Sequence, residues 1–162
     1  MTRAMTHIRS ATPADVPLIL RFVRDLAEFE REPDAVKATE PMLHAALFGP
    51  EAVAEAVIAE IDGLAVGFAL FFRNFSTWTG LPGLYLEDLY VSPEARGAGV
   101  GTVLLRHLAR IAHDRGYARF EWAVLDWNAP AIDFYAKMGA EAKDEWRIRR
   151  VSGDALAKLA EG

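Results

Sequence analysis

Residues 96–102 read Arg-Gly-Ala-Gly-Val-Gly-Thr, and no other segment of the chain suggests chemistry so directly. Glycines let a backbone approach a ligand closely, and a loop of this kind opening a helix leaves unpaired N–H groups at the positive end of the helix dipole, which favours an anion. No lysine follows Gly101, so this is not a Walker A sequence, and Thr102 stands where the GxGxxG dinucleotide fingerprint needs its last glycine. The competing reading is a glycine-rich turn that holds nothing. The chain has no cysteine, which excludes disulfides, thiolate zinc sites and a cysteine nucleophile together. Its four histidines, His7, His44, His107 and His113, form no HExxH or other close ligand pair, so no metal is expected.

Patterning along the chain predicts the elements that position this loop. Residues 7–11 read as a short strand. Thr12, Pro13 and Asp15 then supply a cap, a helix-compatible proline and an early negative charge for a helix. In that helix Val16, Ile19, Leu20, Val23, Leu26, Ala27 and Phe29 recur at helical spacing, and it should end near Pro33. A shorter helix is expected over 40–47, before Gly49 and Pro50. The runs 53–61 and 65–72 are β-rich and separated by Asp62 and Gly63, a strong hairpin signal. A third apolar run, 84–91, should be a central strand leading to the glycine loop. Val100, Leu104, Leu108 and Ile111 form a helical stripe closed by Gly116, and 120–125 reads as another strand. Asn128 should cap a short helix that carries Tyr135 and ends at Gly139. The run 146–151 reads as a last strand before a C-terminal helix. This order implies an α+β or α/β fold, a mixed sheet covered by helices with one βαβ crossover, spanning 1–162 as a single domain.

Composition narrows the partners. With 52% apolar and 25% charged residues the chain is an ordinary globular protein. The 18 Lys and Arg against 23 Asp and Glu leave a charge of −5, the wrong sign for a protein that lives by nucleic-acid phosphate contacts. No apolar run approaches the roughly 20 residues of a membrane helix, and the first residues lack the apolar block of a signal peptide, so a cytoplasmic protein is expected.

Arg-x-x-Gly-x-Gly after a strand and before a helix, here Arg96, Gly99 and Gly101, resembles the acetyl-CoA pyrophosphate loop of the GNAT-type N-acetyltransferases. The segment Asn128, Ala129, Pro130, Ala131, Ile132, Asp133, Phe134, Tyr135 with Gly139 and Ala140 resembles the second cofactor segment of that family. The strings GLYLEDLYV, WNAPAIDFY and EFERE are similar to those of the diamine, polyamine (spermidine/spermine) and thialysine acetyltransferases, and the likeness covers nearly the whole chain. It implies a GNAT-like, mostly antiparallel sheet with a βαβ acetyl-CoA-binding unit. It also implies acetyl-CoA as co-substrate, a small cationic amine as acceptor, and a homodimer to which 146–151 contributes. Alternative acceptors are protein or peptide amines and aminoglycosides. An alternative of another class is a non-catalytic acyl-CoA sensor.

A primary amine of pKa near 10.4 is only about one part in 2,500 neutral at pH 7, so deprotonation costs roughly 4.6 kcal/mol. Glu87 is the candidate proton acceptor, through water, and the resemblance points to the same residue; the alternative is that it only pairs with the bound cation. Asp88, its neighbour, would point to the opposite face on a regular strand and takes a secondary, substrate or structural, role. Tyr135 matches the family's catalytic tyrosine, a phenol able to protonate the departing thiolate; without the motif it would read as core packing. The resemblance assigns the backbone of Leu89, Tyr90 and Val91 to the pantetheine arm. It gives the pyrophosphate to Arg96, Gly97, Ala98, Gly99, Val100, Gly101 and Thr102, and the far side of the CoA arm to Asn128, Ala129, Pro130 and Ala131. Asn128 has a plain alternative as a helix cap. By order, Phe29, Glu30, Trp78, Glu121, Trp122, Ala123 and Asp144 match the acceptor-site segments of the relatives, and Glu87 and Asp88 join them as candidate acceptor-binding residues. Carboxylates and an aromatic face suit an ammonium, while the acidic run around Glu28, Glu30 and Glu32 also reads as a solvated helix face.

Overall fold

Asp62 and Gly63 both take positive φ, 51° and 76°. This is the geometry a two-residue hairpin turn needs to match the twist of its strands. The computed structural model describes residues 4–162, which fall into two compact units divided after Ala123. In the first unit the turn joins β2 (Glu55–Ile61) to β3 (Leu64–Ser76), and β3 continues antiparallel into β4 (Leu81–Val91). β1 (Thr6–Ser10) pairs antiparallel with β2, and β5 (Phe120–Trp122) pairs parallel with β4, giving the order β1-β2-β3-β4-β5. The expected mixed, mostly antiparallel sheet is present. The 84–91 run falls in β4, an interior strand between β3 and β5, and the strand expected over 120–125 is limited to three residues.

α1 (Val16–Phe29) and α2 (Glu40–Phe48) cover one face of the sheet. There Ile19, Phe22 and Leu47 form a core with Ala56, Ile58, Phe68 and Tyr90, and the Phe22 ring lies 5.6 Å from Phe68 and 5.5 Å from Tyr90. The alternate strand residues Val57, Ala59, Ala69, Phe71, Leu84 and Leu86 are also buried. They belong to the other face, on which α3 (Val100–Asp114) lays the buried stripe Val100, Leu104 and Leu108. α3 is the crossover between β4 and β5, as the βαβ reading requires.

Arg9 fastens β1 to the start of α1 through two bonds to the Asp15 carboxylate, 2.7 and 2.8 Å, and a further bond from Nε to Glu60. Asp15 also accepts the Thr12 N–H at 2.7 Å in a capping box. The guanidinium, with these bonds, pulls the Asp15 carboxyl down to about 2. α1 ends at Phe29, short of the expected stop at Pro33. Arg31 takes a left-handed conformation, φ 64°, and its N–H donates to the Glu28 carbonyl while Glu32 N–H donates to the Ala27 carbonyl. The helix is thus closed from within by a turn that glycine usually supplies.

The second unit holds α4 (Ala129–Lys137) and α5 (Gly153–Ala160). The strand expected over 146–151 does not form. A segment becomes a strand only when a neighbour completes the hydrogen-bond ladder, and the five-stranded sheet does not include this one. Among the described residues no helix is long and apolar enough to cross a membrane.

Candidate active site

Register puts several candidate side chains on one face. Phe72 pairs with Tyr85 and Leu70 with Asp88, but between them Phe71 pairs with Leu86, so Glu87 is an extra residue in β4, a β-bulge. Directly opposed residues share a face of the sheet, and so do residues two apart. Leu70 and Phe72 share one, hence Asp88 and Tyr85 share it although three positions separate them. Glu87, two residues past Tyr85, belongs to it as well. The expectation that Asp88 points away from Glu87 is therefore wrong, because it assumed a regular strand and the bulge resets the alternation. β5 adds Glu121, paired with Tyr85. The same alternation sends Trp122, paired with Leu86, to the opposite face.

The electrostatics report the same cluster. Burial and the charges of Glu87 and Glu30 push the Asp88 carboxyl up to about 6. Burial also raises Glu30, the C-cap of α1. Burial and the charges of Glu87 and Glu121 raise the Tyr85 phenol. Four carboxylates from α1, β4 and β5 thus act on one small region, where an added cation would be attracted and would favour their ionised forms. Tyr85 is the member that sequence reasoning missed; its signal was its place two residues before Glu87, on the same strand face.

The other expected acceptor residues divide. Phe29 is at this end of α1. Trp78 is in the β3–β4 turn, exposed to solvent. Ala123 follows β5 directly, and Asp144 lies in the second unit.

β4 meets β5 only over Leu84, Tyr85 and Leu86. From Glu87 to Val91 its β5-side edge therefore has no strand partner among the described residues, which leaves the Leu89–Val91 backbone available to an extended ligand. The glycine loop follows. Gly97 and Gly99 have φ of 85° and 81°, a region that side chains avoid, and Gly99 is the N-cap of α3. Among the described residues, the first α3 amide with a backbone acceptor is Val103, on the Gly99 carbonyl at 3.1 Å. The amides of Val100, Gly101 and Thr102 are the orphan donors of the helix start, a fitting cradle for a diphosphate. Arg96 Nε donates to the Val91 carbonyl at 3.2 Å, and its guanidinium carbon lies 5.3 Å from the centroid of the Phe29 ring.

In the second unit Asn128 is the N-cap of α4, its Oδ1 accepting the Ala131 N–H at 3.4 Å, with Ala129 and Pro130 opening the helix. Tyr135 is in the same helix, its ring 5.6 Å from that of Phe134.

An amide cradle at a helix start behind an open strand edge can hold an extended, phosphorylated ligand. Residues 20–140 match the acetyltransferase (GNAT) family, and the chain belongs to that family. It is an N-acetyltransferase. Thialysine N-epsilon-acetyltransferase of Sus scrofa is 40% identical over 97% of this chain and 98% of its own length. L-ornithine N5-acetyltransferase of Arabidopsis thaliana is 32% identical over 97% of this chain and 89% of its own. An integron cassette protein from the mobile metagenome of V. cholerae has the same fold, with a TM-score of 0.80 at 28% identity over 97% of this chain and 98% of its own.

Proposed function

We propose that the protein acetylates the terminal primary amine of a small cationic molecule, a lysine-like amino acid such as thialysine, or a diamine or polyamine, taking the acetyl group from acetyl-CoA by direct transfer. The observation that carries this reading is the β4 bulge, which gathers Glu87 and Asp88 on one face with Glu30 and Glu121. Relatives that by name act on thialysine and ornithine, both amino acids bearing a terminal amine, support the acceptor class.

Acetyl-CoA supplies the thioester carbonyl. The amides of residues 97–102 hold its diphosphate, Arg96 adds charge, and the open edge at Leu89–Val91 receives the pantetheine amides. The carboxylates attract the ammonium, and Glu87 takes its proton through water. Asp88, at about 6, narrows the gap to an amine of 10.4 to about four pH units, against about six for an ordinary carboxylate, which makes it a better proton acceptor than an aspartate in water. Tyr135 returns a proton to the departing sulfur. Asn128 and Ala131 contribute to the CoA site from the start of α4.

The whole chain, 1–162, acts as one N-acetyltransferase domain in the cytoplasm and as a homodimer. The segment 146–151 contributes to the dimer interface, a role supported by the 74% exposure of Ile148. Sedimentation equilibrium tests the dimer.

The reaction is tested by CoA-thiol release from acetyl-CoA against thialysine, lysine, ornithine, putrescine, spermidine, aminoglycosides and short peptides. Release that depends on a small amine supports the proposal. Release only with peptides or aminoglycosides overturns the acceptor class, and CoA binding without release to any amine turns the reading to an acyl-CoA sensor.

A further inference from the structure

We infer that Phe29 is a positioning residue for the cofactor: its ring carries the Arg96 guanidinium in the orientation that reaches the diphosphate. The inference rests on the proposal that the glycine loop binds CoA, and it gives Phe29 a role distinct from contact with the acceptor amine.

Two contacts fix Arg96. Its Nε–H is spent on the Val91 carbonyl at 3.2 Å, and the guanidinium carbon lies 5.3 Å from the Phe29 ring centroid. Neither contact uses the two terminal Nη groups, and among the described residues no carboxylate forms an ion pair with Arg96. A planar fork held at its base, beside one aromatic ring, presents its remaining donors to a diphosphate with little rotamer freedom left to lose.

Phe29 itself is 45% exposed. Its position is set by the end of α1, where Arg31 is held left-handed and the turn is closed by Arg31 N–H to Glu28 and Glu32 N–H to Ala27. A non-glycine residue in that conformation is a local cost, retained where the chain must leave the helix at one defined point. That point delivers two consecutive side chains to different tasks: Phe29 to Arg96, and Glu30 to Asp88.

The test is CoA binding by calorimetry at low salt, with steady-state kinetics beside it. An exposed cation–π contact is worth roughly a two- to five-fold change in affinity. F29L should weaken CoA binding by about that factor and raise KM for acetyl-CoA with kcat nearly unchanged. F29Y, which keeps the ring, should bind as the parent does. R96Q should weaken CoA binding more than F29L, and F29L added to R96Q should weaken it no further. R96K supplies a second cycle, since lysine keeps the charge but neither the Nε bond to Val91 nor the planar fork, and should respond to F29L less than the parent does. CoA affinity unchanged in F29L, equal loss in F29L and F29Y, or additive losses in F29L and R96Q would each overturn the inference. R96Q binding CoA as tightly as the parent would show instead that the loop assignment beneath it is wrong.

Discussion

Asp88→Asn should yield a protein that is more stable at neutral pH and poorer as an enzyme. Burial and the charges of Glu87 and Glu30 raise this carboxyl from its ordinary 3.8 to about 6. An acid whose folded pKa lies above its unfolded value contributes stability that is fully present below pH 3.8 and is lost as pH rises through 6. A displacement of about two pH units corresponds to about 3 kcal/mol of stability given up above pH 7. Asparagine has nearly the same shape and no proton to lose, so it removes that cost and leaves the low-pH protein almost unchanged. For a chain of this length, 3 kcal/mol corresponds to roughly 6–12 °C in Tm. Thermal unfolding of both proteins at pH 4 and pH 8 reads the difference directly. The variant should gain on the parent at pH 8 and match it near pH 4, while its rate with a small amine falls. A gap between variant and parent that is the same at both pH values would refute the argument, because it would show that Asp88 does not carry the electrostatic cost that the bulge imposes.

Asp15→Asn should have the opposite pH signature. Asp15 is held down at about 2 by Arg9, so its contribution is present above pH 3.8 and disappears as pH falls toward 2; a loss of about 2 kcal/mol at pH 7 that vanishes in acid is expected by thermal unfolding. Tyr135→Phe should lower kcat by 10²-fold or more, on the scale of general acid catalysis, with CoA affinity retained in calorimetry; an undiminished rate would remove Tyr135 from the chemistry. Glu87→Gln should depress the rate most near pH 7 and recover partly at pH 9 to 10, where more of the amine is already neutral; uniform loss across pH would assign Glu87 to cation pairing alone. Gly99→Ala forces a side chain into φ 81° at the N-cap of α3, so CoA affinity should fall with little change in far-UV circular dichroism.

Local chemistry made much of this protein readable from its residues. Asp62-Gly63 demanded a hairpin because few other pairs tolerate two positive φ values, and the hairpin is there. Thr12, Pro13 and Asp15 announced a helix start, Asn128 another, and the Val100, Leu104 and Leu108 stripe fixed the buried face of α3. The glycine loop was legible for the same reason, since its φ values and orphan amides belong to the segment itself. Tertiary structure decided what depends on partners distant in sequence. Which residue of β4 is the extra one is set by pairing with β3, and no local signal told Glu87 from its neighbours, so the shared face of Glu87 and Asp88 was misread. The 146–151 run read as a last strand and does not form one, because a ladder needs a second strand. Arg96 and Phe29 were each legible as candidates for separate sites, yet only folding brings the guanidinium over the ring. Dihedral preferences, caps and periodicity are properties of a segment and survive in its sequence, whereas register, burial and the pKa values that follow from them arise when segments meet.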